Sequence, residues 1–132
     1  MTVTRLVGFT LCSLALGALA GCASPAPSGF SPEAARGRNV FLNPTVGCYG
    51  CHAFGRRLAG PDLMAVAERR DHDWLRRFLK ETEAVLLGDP QGQAMLEEWK
   101  GVRMPQFKLT DADVNALIHF FTAETQRVRS GG

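Results

Sequence analysis

The chain has 132 residues, of which 45% are apolar and 21% charged, and this length and composition suit one globular domain without room for a second. Lysine and arginine number 15 against 13 aspartates and glutamates. A balance so close to neutral does not indicate nucleic-acid binding, which usually needs a strongly basic surface. Arginine pairs such as Arg56 with Arg57 alternate with acidic residues, and this alternation predicts a solvated surface of mixed charge.

Residues 1–21 have the pattern of an export signal. A short cationic start that ends at Arg5 is followed by a nearly uncharged apolar run over 6–20. A membrane-spanning helix needs about 20 apolar residues, so this run is too short to span comfortably. The run leads into the letters LAGC, which end at Cys22 and resemble the bacterial lipobox. The resemblance implies a mature chain that starts at a lipidated Cys22. The alternative is an ordinary cleaved signal that leaves Cys22 as a free thiol.

Residues 22–30 predict a flexible tether. The letters ASPAPSG after Cys22 contain no aliphatic side chain larger than alanine, so they offer nothing to pack. Fully extended at about 3.3 Å per residue, such a tether would let a domain stand up to roughly 30 Å from a membrane. Residues 31–132 are therefore predicted to be the folded domain.

The elements predicted in that domain are all helices, and no stretch alternates as a strand. The first helix begins where Ser31 can cap it and Pro32 takes its first position, and it runs to about Leu42. A short second helix is predicted over 62–69.

Three further helices follow in the second half of the chain. One is predicted to begin at a cap formed by Asp73, and another at Asp89 with an end at Gly101. The last opens at Thr110 with Asp113 three residues later, close to a capping box. Its apolar residues repeat at helical spacing: Val114, Leu117, Ile118 and Phe121.

The segment after the first helix contains Cys48, Cys51 and His52 in the spacing CxxCH. Two cysteines at this spacing occur in redox dithiols, in zinc sites and at covalent haem attachment points. A zinc site lacks ligands here, because the folded region offers only His72 and His119 besides. A redox dithiol is expected after a strand, whereas the preceding letters NVFLNPTVG predict a helix end and a loop. Attachment of one haem c explains all three residues, since the thiols add to its vinyl groups and the imidazole ligates its iron.

An electron-carrying haem iron takes a second axial ligand, and Met104 is the best candidate. It lies in a loop between helices, whereas Met64 and Met95 fall inside apolar helical patterns in which methionine usually fills a core. His119 is the other alternative, but it is predicted to face solvent on the last helix. Ligation by His52 and Met104 raises the reduction potential relative to two histidines.

Over residues 32–126 the order of these parts resembles the class I cytochromes c. The letters GRNVF and ALIHFF resemble the first and last helices of that family. The resemblance implies that Gly37 lets the two helices approach closely, with Phe41, Leu117 and Phe120 at their interface. It also implies an all-α, cytochrome c-like bundle of about four to five short helices around one covalently bound haem.

The same resemblance assigns further residues to the haem site. The letters GPDL resemble the loop whose proline carbonyl accepts a hydrogen bond from the proximal histidine, which implies this role for Pro61 toward His52. The letters MP before the last helix resemble the distal ligand, which implies Met104. In some relatives a tryptophan binds a haem propionate, and for Trp74 this role and a core position are both open.

Together these features predict a membrane-tethered monohaem c-type cytochrome. We expect it to act as a one-electron carrier between a respiratory donor and a terminal oxidase or reductase, and not as an enzyme. It is expected to be an exported bacterial lipoprotein, in the periplasm or on the outer face of the cytoplasmic membrane. The alternatives are an electron-entry subunit bound to one redox complex, and a gas-sensing or enzymatic haem domain from which Met104 dissociates.

Overall fold

The computed structural model describes residues 29–131, and in this range it contains seven α-helices and no strand. This confirms the all-α class. The predicted signal peptide and the proposed lipid site at Cys22 lie outside the described residues. The helices are α1 (Pro32–Phe41), α2 (Cys48–Cys51), α3 (Val66–Arg69), α4 (His72–Lys80), α5 (Thr82–Gly88), α6 (Pro90–Glu98) and α7 (Asp111–Arg129).

The helix ends follow local capping signals. Ser31 accepts a hydrogen bond from the N–H of Ala34 at the start of α1. At α7, Thr110 and Asp113 form a complete capping box. The predicted cap at Asp73 is wrong by two residues, because the side chain of Asp71 accepts the free N–H groups at the start of α4.

Two helices were not predicted from the sequence. The helix α2 is a single turn that contains both cysteines of the CxxCH motif. The helix α5 occupies a segment for which no helix was predicted, and it forms because Thr82, Val85 and Leu86 present one buried face.

The predicted second helix is shorter than expected and covers only Val66–Arg69. The residues before it form a loop, in which the carboxylate of Asp62 accepts the N–H groups of Gly55 and Met64 at 2.9 and 2.8 Å. Ala65 then adopts a left-handed φ of 57° at the helix start. These side-chain hydrogen bonds compete with a helical path for the same backbone.

The main packing contact is between α1 and α7, while α4, α5 and α6 form the other side of the domain. Gly37 lies at the crossing of α1 and α7, where a Cβ atom would overlap the carbonyl of Ala116 and come within 2.8 Å of the Phe120 Cβ. The interface buries Ala34, Phe41, Val114, Leu117 and Phe120. The ring of Phe30, from the end of the predicted tether, packs edge-on against Phe120 at 5.8 Å. Among the helices of the described range, none has the length and apolarity needed to cross a membrane.

Gly37→Ala is expected to destabilise the haem-loaded protein by about 1–3 kcal/mol, because the added methyl group forces α1 away from α7. The free energy of unfolding in urea measures the effect. Gly88→Ala is the matched control, since this glycine of α5 has open space around its Cβ position. The control should change stability by less than about 1 kcal/mol. Equal stability of the two variants would show that the close approach at Gly37 does not matter.

Candidate functional site

A cavity of about 640 Å³ lies between the α1–α7 pair and the α4–α6 side of the domain. Its wall is mainly apolar, and the buried contributors include Phe41, Leu75, Phe78, Leu79, Leu117 and Phe121. A volume of this size lies within the usual range for sites that bind small molecules and cofactors. All five residues that the sequence analysis assigned to the haem line this one cavity: Cys48, Cys51, His52, Pro61 and Met104.

The two cysteines are free thiols at the first and last positions of α2. Residues three apart lie on the same side of a helix, so one turn lets both line the cavity. The turn starts after Gly47, which has a left-handed φ of 68°, and the N–H of His52 closes it by donating to the Cys48 carbonyl at 2.9 Å. The imidazole of His52 therefore directly follows the helical turn that carries the two thiols.

The environment of Cys48 bears on the redox-dithiol alternative. Burial raises the pKa of the Cys48 thiol, and the neighbouring Cys51 adds to the rise, while a backbone hydrogen bond opposes it. A reactive dithiol requires the opposite shift, because the thiolate is the nucleophile. The direction of this shift therefore gives no support to the redox-dithiol alternative. In residues 29–131, moreover, no three His, Cys, Asp or Glu side chains converge on a common metal position.

The ring of His52 is held in one orientation. Its Nδ1 lies 2.8 Å from the carbonyl oxygen of Pro61. A carbonyl only accepts, so Nδ1 carries the proton and Nε2 keeps the lone pair that a metal needs. Gly60 makes room for the ring, because a Cβ atom there would lie 2.5 Å from the His52 Cε1. The sequence analysis did not assign this role to Gly60, although its position next to Pro61 was the available signal.

Met104 lies in the segment between α6 and α7, half-buried against the cavity. Lys100 and Gly101 turn the chain toward it with left-handed φ values of 51° and 80°. At the other end, the side-chain amide of Gln106 donates to the Lys80 carbonyl at 2.8 Å. The N–H of Gly101 donates to the Leu96 carbonyl at 2.8 Å, so hydrogen bonds attach the segment to the domain on both sides of Met104.

The competing ligand candidates have different positions. His119 is exposed on α7 and does not line the cavity. Met64 is half-buried away from the cavity wall. Met95 lines the cavity from α6, so its position does not exclude it as the distal ligand in place of Met104.

Trp74 is a buried part of the cavity wall that stacks on Phe78 with 5.0 Å between ring centroids. Its indole N–H donates to Asp89 Oδ1 at 3.0 Å. This bond is the main cause that lowers the pKa of Asp89, and the backbone N–H groups of Gln91 and Gly92 contribute further. Because the indole has one donor, this contact favours the core role of Trp74 over propionate binding.

The charged part of the cavity wall consists of Arg57, Arg69, Arg70 and Arg103 with Asp62 and Glu98, a formal balance of 4 − 2 = +2. The guanidinium of Arg57 lies over the Trp99 ring at 3.8 Å, and Arg69 donates to the Asp62 carbonyl. From the sequence, the arginine pairs were predicted to form a solvated surface of mixed charge, and their place on the cavity wall was not predicted. The charged part of the wall forms a positive rim of the cavity, and such a rim suits a ligand that carries carboxylates.

These features fit a haem c. Two thiols on one turn, an imidazole with a free Nε2, a thioether from a separate lining segment and an apolar wall are the donor set and surroundings of such a cofactor. The positive rim matches the two propionate groups that the porphyrin carries.

Comparison with known proteins agrees with this assignment. The family model "Cytochrome c" matches residues 34–122. The cytochrome c domain of the pp3183 protein from Pseudomonas putida superposes with a TM-score of 0.63 at 34% identity, over 71% of this chain and 92% of that one. A cytochrome c from Rhodothermus marinus has a TM-score of 0.65 at 20% identity, over 72% and 78% of the two chains.

An engineered Rhodothermus marinus cytochrome c bound to a carbene intermediate is similar at a TM-score of 0.61 and 20% identity, over 71% of this chain and 78% of that one. No curated protein matches the chain significantly in sequence. Because the family model covers most of the domain and the site has the matching donors, the chain belongs to the cytochrome c family, whose members bind haem c covalently and transfer electrons.

Proposed function

We propose that the protein is a lipid-anchored, exported one-electron carrier with a single haem, attached at Cys48 and Cys51 and ligated by His52 and Met104. The haem supplies the one-electron redox change. The observation that supports this most is the pair of axial candidates: an imidazole oriented by Pro61 and a thioether from a separate segment line the same apolar cavity. Two protein ligands leave no coordination position for a substrate, which favours electron transfer over catalysis.

The surroundings of the site also suit a carrier. Mainly apolar side chains keep water from the iron and lower the local dielectric. The attached segment around Met104 limits rearrangement between oxidation states. The proposed partners are a respiratory donor and a terminal oxidase or reductase, which meet the haem at its exposed edge. A subunit bound permanently to one enzyme complex would have the same haem site and would differ by co-purifying with that complex after gentle extraction.

Carbon monoxide distinguishes a carrier from a gas sensor or a haem enzyme. The reduced protein should bind the gas slowly or not at all at neutral pH, because Met104 occupies the iron. Stopped-flow mixing with membranes that contain terminal oxidases or reductases should oxidise it rapidly. Fast carbon monoxide binding without electron transfer to any membrane acceptor would contradict the proposal and support the sensor or enzyme alternative.

Cys22→Ala is expected to release the haem domain from membranes or to stall its processing. Two or three acyl chains anchor a lipoprotein firmly, whereas one chain binds marginally, since each buried methylene contributes about 0.8 kcal/mol. Membrane fractionation followed by haem staining measures the distribution. Cys12→Ala is the matched control, because this cysteine lies in the segment predicted to be removed. A mature chain whose mass shows an unmodified N-terminal residue other than Cys22 would contradict the anchor.

A further inference from the structure

Two side chains of the cavity wall, those of Arg57 and Trp99, contact each other. The guanidinium carbon of Arg57 lies 3.8 Å from the centre of the Trp99 ring, which is stacking distance. Arg57 also approaches the carboxylate of Glu98, with 3.6 Å between Nη2 and Oε1. Both partners of that ion pair are more than half exposed, so the ion pair contributes little and the stack is the main interaction.

The stack joins the two segments that carry the proposed axial ligands. Arg57 belongs to the loop that follows His52, and hydrogen bonds hold this loop at both ends: Gly55 donates to Asp62, and Gly60 donates to the Cys51 carbonyl at 2.7 Å. On the other side, Trp99 caps α6 and begins the segment that leads to Met104. The hydrogen-bonded loop therefore places Arg57 beside Trp99.

Side-chain contacts hold the segment around Met104, among them the bond of Gln106 to the Lys80 carbonyl and the Arg103–Glu83 ion pair at 3.5 Å. Within the described part of the chain, residues 103–106 make no hydrogen bond between backbone groups. In the preceding turn, the N–H of Val102 donates at 3.0 Å to the carbonyl of Trp99, the residue whose ring stacks on Arg57. Val102 is 61% exposed and adds little packing. Lys100 and Gly101 also donate to carbonyls of α6, so the turn is tied to the end of that helix, and Trp99 is one of the residues through which this end contacts the His52 loop.

We infer that Arg57 is a positioning residue for Met104: by stacking on Trp99 it acts as a latch between the His52 loop and the Met104 segment, and it slows the loss of Met104 from the iron. This inference rests on the proposed ligation by Met104. A planar guanidinium suits the role, because it stacks on an aromatic face while its edge remains hydrated. Local opening of the segment is the step that the latch restrains.

Arg57→Gln tests the latch, with Arg56→Gln as the matched control. Arg56 is the exposed neighbour and makes neither a stack nor an ion pair in the described structure. Carbon monoxide association with the reduced protein reports how often Met104 leaves the iron. Arg57→Gln should accelerate it about twofold to fivefold, the range that corresponds to a cation–π contact of about 0.5–1 kcal/mol at an exposed site. Arg56→Gln should remain at the wild-type rate.

Three further measurements separate the stack from other causes. Amide hydrogen exchange at Val102 should be faster in Arg57→Gln, because the turn after Trp99 opens more often. In a Trp99→Leu background, Arg57→Gln should add no further acceleration, since the stacking partner is already gone. Glu98→Gln should produce a smaller effect than Arg57→Gln. If Glu98→Gln reproduces the full acceleration, the ion pair holds the segment and the stacking latch is wrong.

The outcomes also distinguish this inference from the proposed function. Fast carbon monoxide binding to the wild-type protein would contradict ligation by Met104 and remove the basis for a latch. Slow binding in the wild type together with an unchanged rate in Arg57→Gln would leave the carrier intact and overturn the latch alone.

Discussion

Replacing Cys48 and Cys51 together with alanine is expected to give a chain that retains no haem through denaturation. The thioether bonds to these two sulfurs are the proposed covalent attachment, and the described residues contain no other cysteine. Haem staining of a denaturing gel measures the loss. The wild-type protein should also show the pyridine haemochrome spectrum of saturated vinyl groups.

The same substitution is expected to prevent stable folding. Without the haem, the mainly apolar wall of the cavity of about 640 Å³ would face water, and the packing and ligation that a bound cofactor adds to the folded state would be lost. Circular dichroism should therefore show weakened helix signals in the haem-free chain.

Tyr49→Ala is the control for both effects. Tyr49 lies between the two cysteines and is 47% exposed, so its removal should leave the haem attached and the helices formed. If haem extracts from the wild-type protein into acidified organic solvent, covalent attachment is wrong.

Met104→Ala is expected to lower the reduction potential by on the order of a hundred millivolts, within the roughly 0.8 V over which axial ligands set haem potentials. The thioether favours ferrous iron, and its removal reverses that preference. The ferric protein should lose the weak near-infrared band that arises from a sulfur ligand, and the reduced protein should bind carbon monoxide rapidly. The haem should remain attached, because the cysteines are unchanged.

Met95→Ala is the sharpest control, because Met95 also lines the cavity but projects from α6. It should keep the near-infrared band and reduce stability by about 1–3 kcal/mol through lost packing. His119→Ala should change neither property, since that ring is exposed on α7. Loss of the band in Met95→Ala and its retention in Met104→Ala would reassign the distal ligand.

Features that depend on neighbouring residues were predictable from the sequence. The caps at Ser31 and Thr110 and the CxxCH motif each join groups within about one helical turn, so short sequence patterns predict them. The all-α class is likewise predicted from short patterns. The cap of α4 was misplaced because Asp71 and Asp73 are both good capping residues, and only the backbone path selects one. The helix α5 was missed because its burial depends on packing against α4 and α6.

By itself, the sequence of this protein determined the helical class and the proposed attachment chemistry, because both arise from local spacing. Only the tertiary structure decided which groups meet across the cavity. Gly60 clears space for the His52 ring, Trp74 donates to Asp89, and Arg57 stacks on Trp99. The loop folds Gly60 back onto His52, and the other two pairs join separate segments, so the spacing in the sequence alone does not give the distances in these contacts. The distance and orientation of these groups follow from how the α1–α7 pair and the α4–α6 side enclose one apolar cavity.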